Sequence, residues 1–395
     1  MTAAHVAPTP LELTDTRIML MLGHVLWSWP SCTSCVARRA CADDQCSSRL
    51  AIGKRYFQFY KELVGTYVDG GFEATRVFKT HEDLFAAIRI LRANPSMTRK
   101  QLADAIAENQ ATPSSNMSAA IGLTVKVLTM IDSSSPRFFT SPGTLELGRF
   151  RTPWRDYVPF HDYIHDMFPA CTQARSIGNG NSNDFADVKS TLRASKLKKK
   201  LRLTLRLTHD LRDHLQFDRK HRILDIFHLT TFLKEQFRLS KGLPNASNLK
   251  NDESLLPDSI DILPRQLILE ILSSIQQILF PLSDRRSRRL LQSLIASAGF
   301  DPDAMRYESA TVRRHDESTA MCYVYLAERL ENPYEETRNP QPDGWLDRVL
   351  DRKSGRRHVM CITIAGFVVA LLLGCGSLVT GIFQAVVAYL AWKYP

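Results

Sequence analysis

Residues 359–391 read VMCITIAGFVVALLLGCGSLVTGIFQAVVAYLA. Nearly every side chain is apolar or small, and Gln384 is the only strongly polar interruption. A hydrocarbon core about 30 Å thick needs roughly 20 such residues in helical form. The stretch therefore predicts a transmembrane helix at 359–391, with a soluble-looking body before it. Helical throughout, it is about 50 Å long, so it tilts or its end beyond Gln384 continues into the far interface. A hairpin turning at Gly374–Ser377 leaves arms of about 15 residues, short for a crossing. A single span is the expectation.

The flanks give an orientation. Arg348, Arg352, Lys353, Arg356 and Arg357 precede the run, and only Lys393 follows it. A basic flank stays on the cytosolic side, which predicts a cytosolic body and a tail-anchored, single-pass topology. Tyr389, Trp392 and Tyr394 suit the far headgroup layer. Gly366, Ala370, Gly374, Ser377 and Gly381 fall three or four apart, a smooth stripe on which two helix backbones can approach. The expected partners are the bilayer, a second copy of the helix and an unidentified protein.

Working outward, the chain has 395 residues, 44% hydrophobic and 23% charged, enough for two modest domains and an anchor. A net charge of +10 points to an acidic partner such as anionic lipid headgroups or nucleic acid. The eight cysteines are read as thiols or metal ligands in a reducing cytosol. Cys32, Cys35, Cys41 and Cys46 lack the long loop that separates ligand pairs in structural zinc sites. They are weak metal candidates, and buried thiols are expected instead.

The other apolar run, Ile18–Trp29, is too short to span. It follows Glu12, Asp15 and one Arg17, and no small-residue cleavage site comes after it, so an amphipathic or buried helix is expected rather than a signal peptide. Tyr56, Phe57, Phe59 and Tyr60 give an aromatic core stripe. Thr80 with Asp83, and Thr98 with Gln101, read as capping boxes. Helix, short helix, longer helix from about Ser115 to Ile131, then a strand near Leu145 is the order of a winged helix. DNA reading requires basic or amide side chains at the start of the third helix. That start is Ser114, Ser115, Asn116, Met117 and Ser118, and the only basic residue along the helix is Lys126, so this is read as a helical interaction module. In FHDYIHDMF, 160–168, His161 and His165 resemble a zinc pair, but Asp162 stands where a protease needs Glu. Phe160, Ile164 and Phe168 read as core.

The Gly- and Asn-rich stretch within 177–185 reads as a linker. A basic block follows: Lys189, Arg193, Lys196, Lys198, Lys199, Lys200, Arg202 and Arg206, interleaved with leucines. It is read as a solvated helix face running into a strand, with anionic lipid or nucleic acid as its functional partners. Lys198, Lys199, Lys200, Arg352, Lys353, Arg356 and Arg357 are the candidate membrane-surface residues. Helix, hairpin and helix are expected over 207–239, with a buried strand Ile223–Phe227 and a helix opening at Thr230. Helices follow from Pro264, from Asp284 to a stop at Gly299, and near Met321–Leu330. A hinge at Pro340–Pro342 leads into a short basic helix.

The strings DLRDHLQFDRKHRILDIFHLTTFLKEQ (210–236), LPRQLILEILSSIQQILFPLSD (263–284) and DGWLDRVLDRKSGRRHVM (343–360) resemble a group of uncharacterised fungal proteins. That resemblance implies a soluble body with a C-terminal span and carries no catalytic residues.

The predicted fold class is mainly α with minor β. The expected divisions are an N-terminal apolar and Cys-rich segment (1–52), a helical, winged-helix-like module (53–176), a linker (177–185), a second α-rich module (186–339), a juxtamembrane segment (340–358) and the membrane helix (359–391). No phosphate loop, nucleophile elbow or strong metal motif is present, and no cofactor is expected. A non-enzymatic interaction or scaffold protein is the leading expectation. A membrane-tethered nucleic-acid-binding factor is the alternative, and an enzyme of unrecognised class a further one.

Overall fold

The apolar run at the N-terminus folds as α1, Thr16–Trp27. Asp15 caps it by accepting from the Ile18 N–H at 2.8 Å. Ile18, Leu22, Val25, Leu26 and Trp27 are buried, so α1 is a core helix. The computed structural model describes residues 10–30, 44–69, 76–108, 116–133, 152–170, 182–241, 262–306, 323–339 and 357–393. Within them the protein is mainly helical with one small sheet.

Helices α2 (Asp44–Ile52) and α3 (Lys54–Asp69) follow. The aromatic stripe of α3 is buried and joins α1: Trp27 lies 4.9 Å from Trp29 and 5.1 Å from Tyr56, ring centre to ring centre. Such ring pairs add about 0.5–1.5 kcal/mol each beyond their burial. Both expected capping boxes are present. Thr80 and Asp83 open α4, His81–Ala93. At α5, Arg99–Glu108, the Thr98 N–H donates to Gln101 Oε1 and the Gln101 N–H to Thr98 Oγ1.

Helix α6, Met117–Thr129, is the one against which α3, α4 and α5 pack. It is buried along its whole length apart from Ser118, Ala119 and Lys126. Two buried threonines turn inward without loss, because Thr124 and Thr129 donate to the Ala120 and Val125 carbonyls. The uncovered positions of α6 offer a DNA groove one basic residue, Lys126, and that one pairs with Asp132 at 3.6 Å. The strand expected near Leu145 lies outside the described residues. Helix α7, Phe160–Met167, buries Phe160, Tyr163 and Ile164 and leaves His161 and His165 exposed.

Four residues of the expected linker are helical instead: Ser182–Thr191 is α8. Ser, Asn and Asp favour helix starts as well as loops, and the apolar Val188 and Leu192 that follow are buried. α9 is Ala194–Lys200. Strand β1, Thr204–Thr208, pairs in parallel with β3, Ile223–Phe227, and β2, Phe217–Asp218, pairs antiparallel on the other side. The order is β1-β3-β2. The expected hairpin is thus β2–β3, and the buried strand sits in the centre.

The stretches before and after 177–185 interlock. The Leu211 N–H donates to the Met130 carbonyl, Arg212 Nη2 to the Asp132 carbonyl, and Trp29 Nε1 to Glu235 Oε2. Met1–Arg338 forms one compact unit and Asn339–Pro395 a second, so the division expected at 177–185 does not separate the body.

The remainder of the body is α10 (Thr230–Lys241), α11 (Arg265–Ser273), which continues as a π turn over Ser274–Leu279, α12 (Arg285–Ser297) and α13 (Ala327–Arg338). Gly299 ends the α12 region with φ +80°, a left-handed backbone suited to glycine. α13 begins later than the helix expected at Met321. The reason is Glu270, whose carboxylate takes the N–H groups of Val324, Tyr325 and Leu326 at 2.6–2.9 Å. Bound to that carboxylate, these residues form the bend that precedes the helix.

Candidate membrane helix and cationic face

The second unit contains α14, Arg357–Lys393, a helix unbroken through Gly374–Ser377. Its 37 residues give a length of about 55 Å. Residues Gly366–Lys393 are long and apolar enough to cross a membrane, and none of that stretch is buried by the protein. Leu, Val, Ile and Phe side chains on all sides of a helix, left in contact with nothing, are what a bilayer would accept and water would not. Thr380 satisfies its hydroxyl internally on the Gly376 and Ser377 carbonyls. Tyr389 and Trp392 stand together near the far end, ring centres 6.3 Å apart.

Around this helix Gly366, Ala370, Gly374, Ser377 and Gly381 fall within an arc of about 80° at 3.6 residues per turn. Gln384, about five turns from Gly366, shares that arc. A methyl group at Gly366, Gly374 or Gly381 would meet nothing within 4 Å. Arg352, Lys353 and Arg356 lie outside the described residues, as do Cys32, Cys35 and Cys41. Cys46 is buried, and the described residues contain no group of three or more metal-ligating side chains.

The basic block is divided by the fold. Leu192, Ala194, Leu197, Leu201 and Leu203 are buried, which turns Lys196, Lys198, Lys199, Lys200 and Arg202 outward. Arg206 is taken up in the sheet. It faces Asp225 across the β1–β3 pair and holds it with Nε–Oδ1 at 2.6 Å and Nη2–Oδ2 at 2.9 Å. That bond raises the guanidinium pKa further and neutralises a buried carboxylate. Lys189 donates to Gln277 at 3.3 Å. The block thus presents its charge mainly from α9.

The fold adds a second source of charge that the sequence reading passed over. Arg285, Arg286, Arg288 and Arg289 occupy the first turns of α12 and are exposed, flanking the buried Ser287. α12 starts against α9. Asp284, its N-cap, accepts from Ser195 at 3.1 Å and lies 4.0 Å from Arg193 Nη1, and the Ser287 hydroxyl donates to Ser195 Oγ at 2.9 Å. Ser287 first, whose N–H donates to Asp284 Oδ2 at 3.0 Å, and then Ser195 hold the Asp284 carboxyl below its usual range. The lysines of α9 and the arginines of α12 therefore border one seam. At the C-terminal end of α9, the Arg222 guanidinium donates to the Leu201 carbonyl at 2.8 Å and brings the β2–β3 turn alongside. The RRSRR run was visible in the sequence, but nothing there placed it beside a block some 90 residues earlier.

The core holds two imidazoles that must stay neutral. Buried His214 accepts the Phe227 N–H on Nδ1 at 3.1 Å, so its proton is on Nε2, which donates to Ser274 at 2.8 Å. Burial pushes its pKa down to about 3. His228 is pushed down to about 3 as well, by burial first and then by His209, whose Nδ1 is 3.0 Å from its Nε2.

No family model, no curated protein and no solved structure matches the chain.

Proposed function

We propose that this is a tail-anchored, single-span membrane protein whose body works on the cytosolic side as a non-enzymatic interaction or scaffold module. The observation that carries the reading is α14, an apolar helix with no protein cover along Gly366–Lys393. The five basic residues before the span and the single lysine after it support a cytosolic body. The small-residue arc that also holds Gln384 supports self-association of the span, since small side chains allow close packing and an amide can bond across it. In the body, chemistry-bearing side chains are spent on structure: Glu270 caps, and His214 and His228 are held neutral.

Protease added to intact membranes tests the topology. A tag before Met1 should be digested and a tag after Pro395 protected. Protection of the first tag would reverse the sidedness, and digestion of both would show that the helix does not cross.

A further inference from the structure

We propose that α9 and the first turns of α12 form one composite cationic face, and that this face docks on the phosphate headgroups of an anionic bilayer. The inference rests on the membrane reading above and names the surface of the body that meets the lipid.

The placement of the charge is costly to the fold, which is why it calls for a partner. Cations at a helix N-terminus oppose the macrodipole, yet the first turn of α12 contains arginines and no acid. Arg285 with Arg288 and Arg289, and Arg286 with Arg289, are like-charge neighbours three or four apart, a destabilising spacing. Arg202 holds left-handed backbone at φ 55°, where glycine or asparagine would be less strained. Among the described residues no carboxylate pairs with these arginines or with Lys198–Lys200. An anion supplied from outside would offset both the unpaired charge and the opposed dipole.

The side chains favour a lipid surface over nucleic acid. The exposed positions of ASKLKKK and RRSRR carry no aromatic ring for base stacking. They are charges on long stems, adaptable to headgroups that move. The tether to α14 also keeps the body within reach of a bilayer, so weak attraction acts at high effective concentration.

The full chain is first reconstituted in neutral phosphatidylcholine vesicles and floated, which reads the anchor alone. Amine-reactive labelling followed by mass spectrometry then reads Lys198–Lys200, with exposed Lys61 on α3 as the baseline. In phosphatidylserine-rich vesicles we expect labelling of Lys198–Lys200 to slow about fivefold relative to neutral vesicles and to recover near ~0.5 M salt. Changing Arg285, Arg286, Arg288 and Arg289 to Gln should abolish most of that protection while leaving Lys61 labelling unchanged and thermal stability equal or slightly higher. Equal labelling in both lipids, or full protection in the quadruple variant, would overturn the composite face. So would protection by a short oligonucleotide in neutral vesicles that matches or exceeds that by phosphatidylserine. Should the chain fail to float with neutral vesicles, the anchor reading falls, while protection by added anionic vesicles still decides the face.

Discussion

Trp29 lies directly over Gly23. A methyl group at position 23 would come within 2.1 Å of the ring carbon Cε3 and 2.5 Å of Cζ3. The indole cannot slide away freely, because its N–H donates to Glu235 Oε2 at 3.0 Å and its ring packs on Trp27. Gly23→Ala should destabilise the body by roughly 1–3 kcal/mol, the usual cost of overpacking. Trp29→Leu in the same chain should recover part of that loss, since residues in contact are not additive. Urea unfolding followed by tryptophan fluorescence gives the comparison, and simple additivity would contradict the close approach.

The neutral imidazoles predict an acid-sensitive fold. Both His214 and His228 titrate near 3 in the native protein and near 6.5 once unfolded. The unfolded chain therefore binds protons that the native fold refuses, so stability from this source is complete above about pH 6.5 and is lost as pH falls toward 3. Between pH 6.5 and 5 the loss should be roughly 2 kcal/mol for each histidine. His214→Gln should lower stability at pH 7 and make the pH slope shallower by about one proton. A slope identical to the parent's would show that His214 is not held neutral.

Glu270 should be the most sensitive single position near the C-terminal end of the body. Glu270→Ala leaves the N–H groups of Val324, Tyr325 and Leu326 without their acceptor. Buried donors left unmade cost about 1–3 kcal/mol each, so a total near ~3 kcal/mol is expected after partial rehydration. Limited proteolysis should cut first around 323–338, before the rest of the body opens. Uniform cleavage across the body would count against this role.

Self-association of the span should follow the small-residue arc. Gly374→Ile should weaken it about tenfold or more by filling the closest approach, while Val379→Ile, on the opposite side, should be neutral. Energy transfer between differently labelled copies in vesicles measures both. Equal effects would place the contact elsewhere or nowhere.

Periodicity and capping were legible in the sequence wherever the determinants are local. The Thr80–Asp83 and Thr98–Gln101 boxes, the buried strand at Ile223, the helix start at Thr230 and the core face of α11 all depend on residues a few positions apart. What could not be read is which buried face meets which. Trp29 bonds Glu235, Arg55 bonds the Ile295 carbonyl and Ser287 bonds Ser195. A hydrophobic stripe announces that it will be covered without saying by what. Two modules were expected for that reason, and nothing local sets the arginines of α12 beside the lysines of α9. The linker failed differently: Ser182, Asn183 and Asp184 suit a loop and a helix start equally.

The bond between Trp29 and Glu235 joins residues 206 apart. On a ribosome adding about 5–20 residues per second, α1 waits roughly 10–40 s for the helix that completes its cover. For that interval the chain displays a short apolar helix to whatever patrols the exit tunnel. Its fate then is a race between synthesis and capture, and a slow codon between 30 and 230 handicaps synthesis.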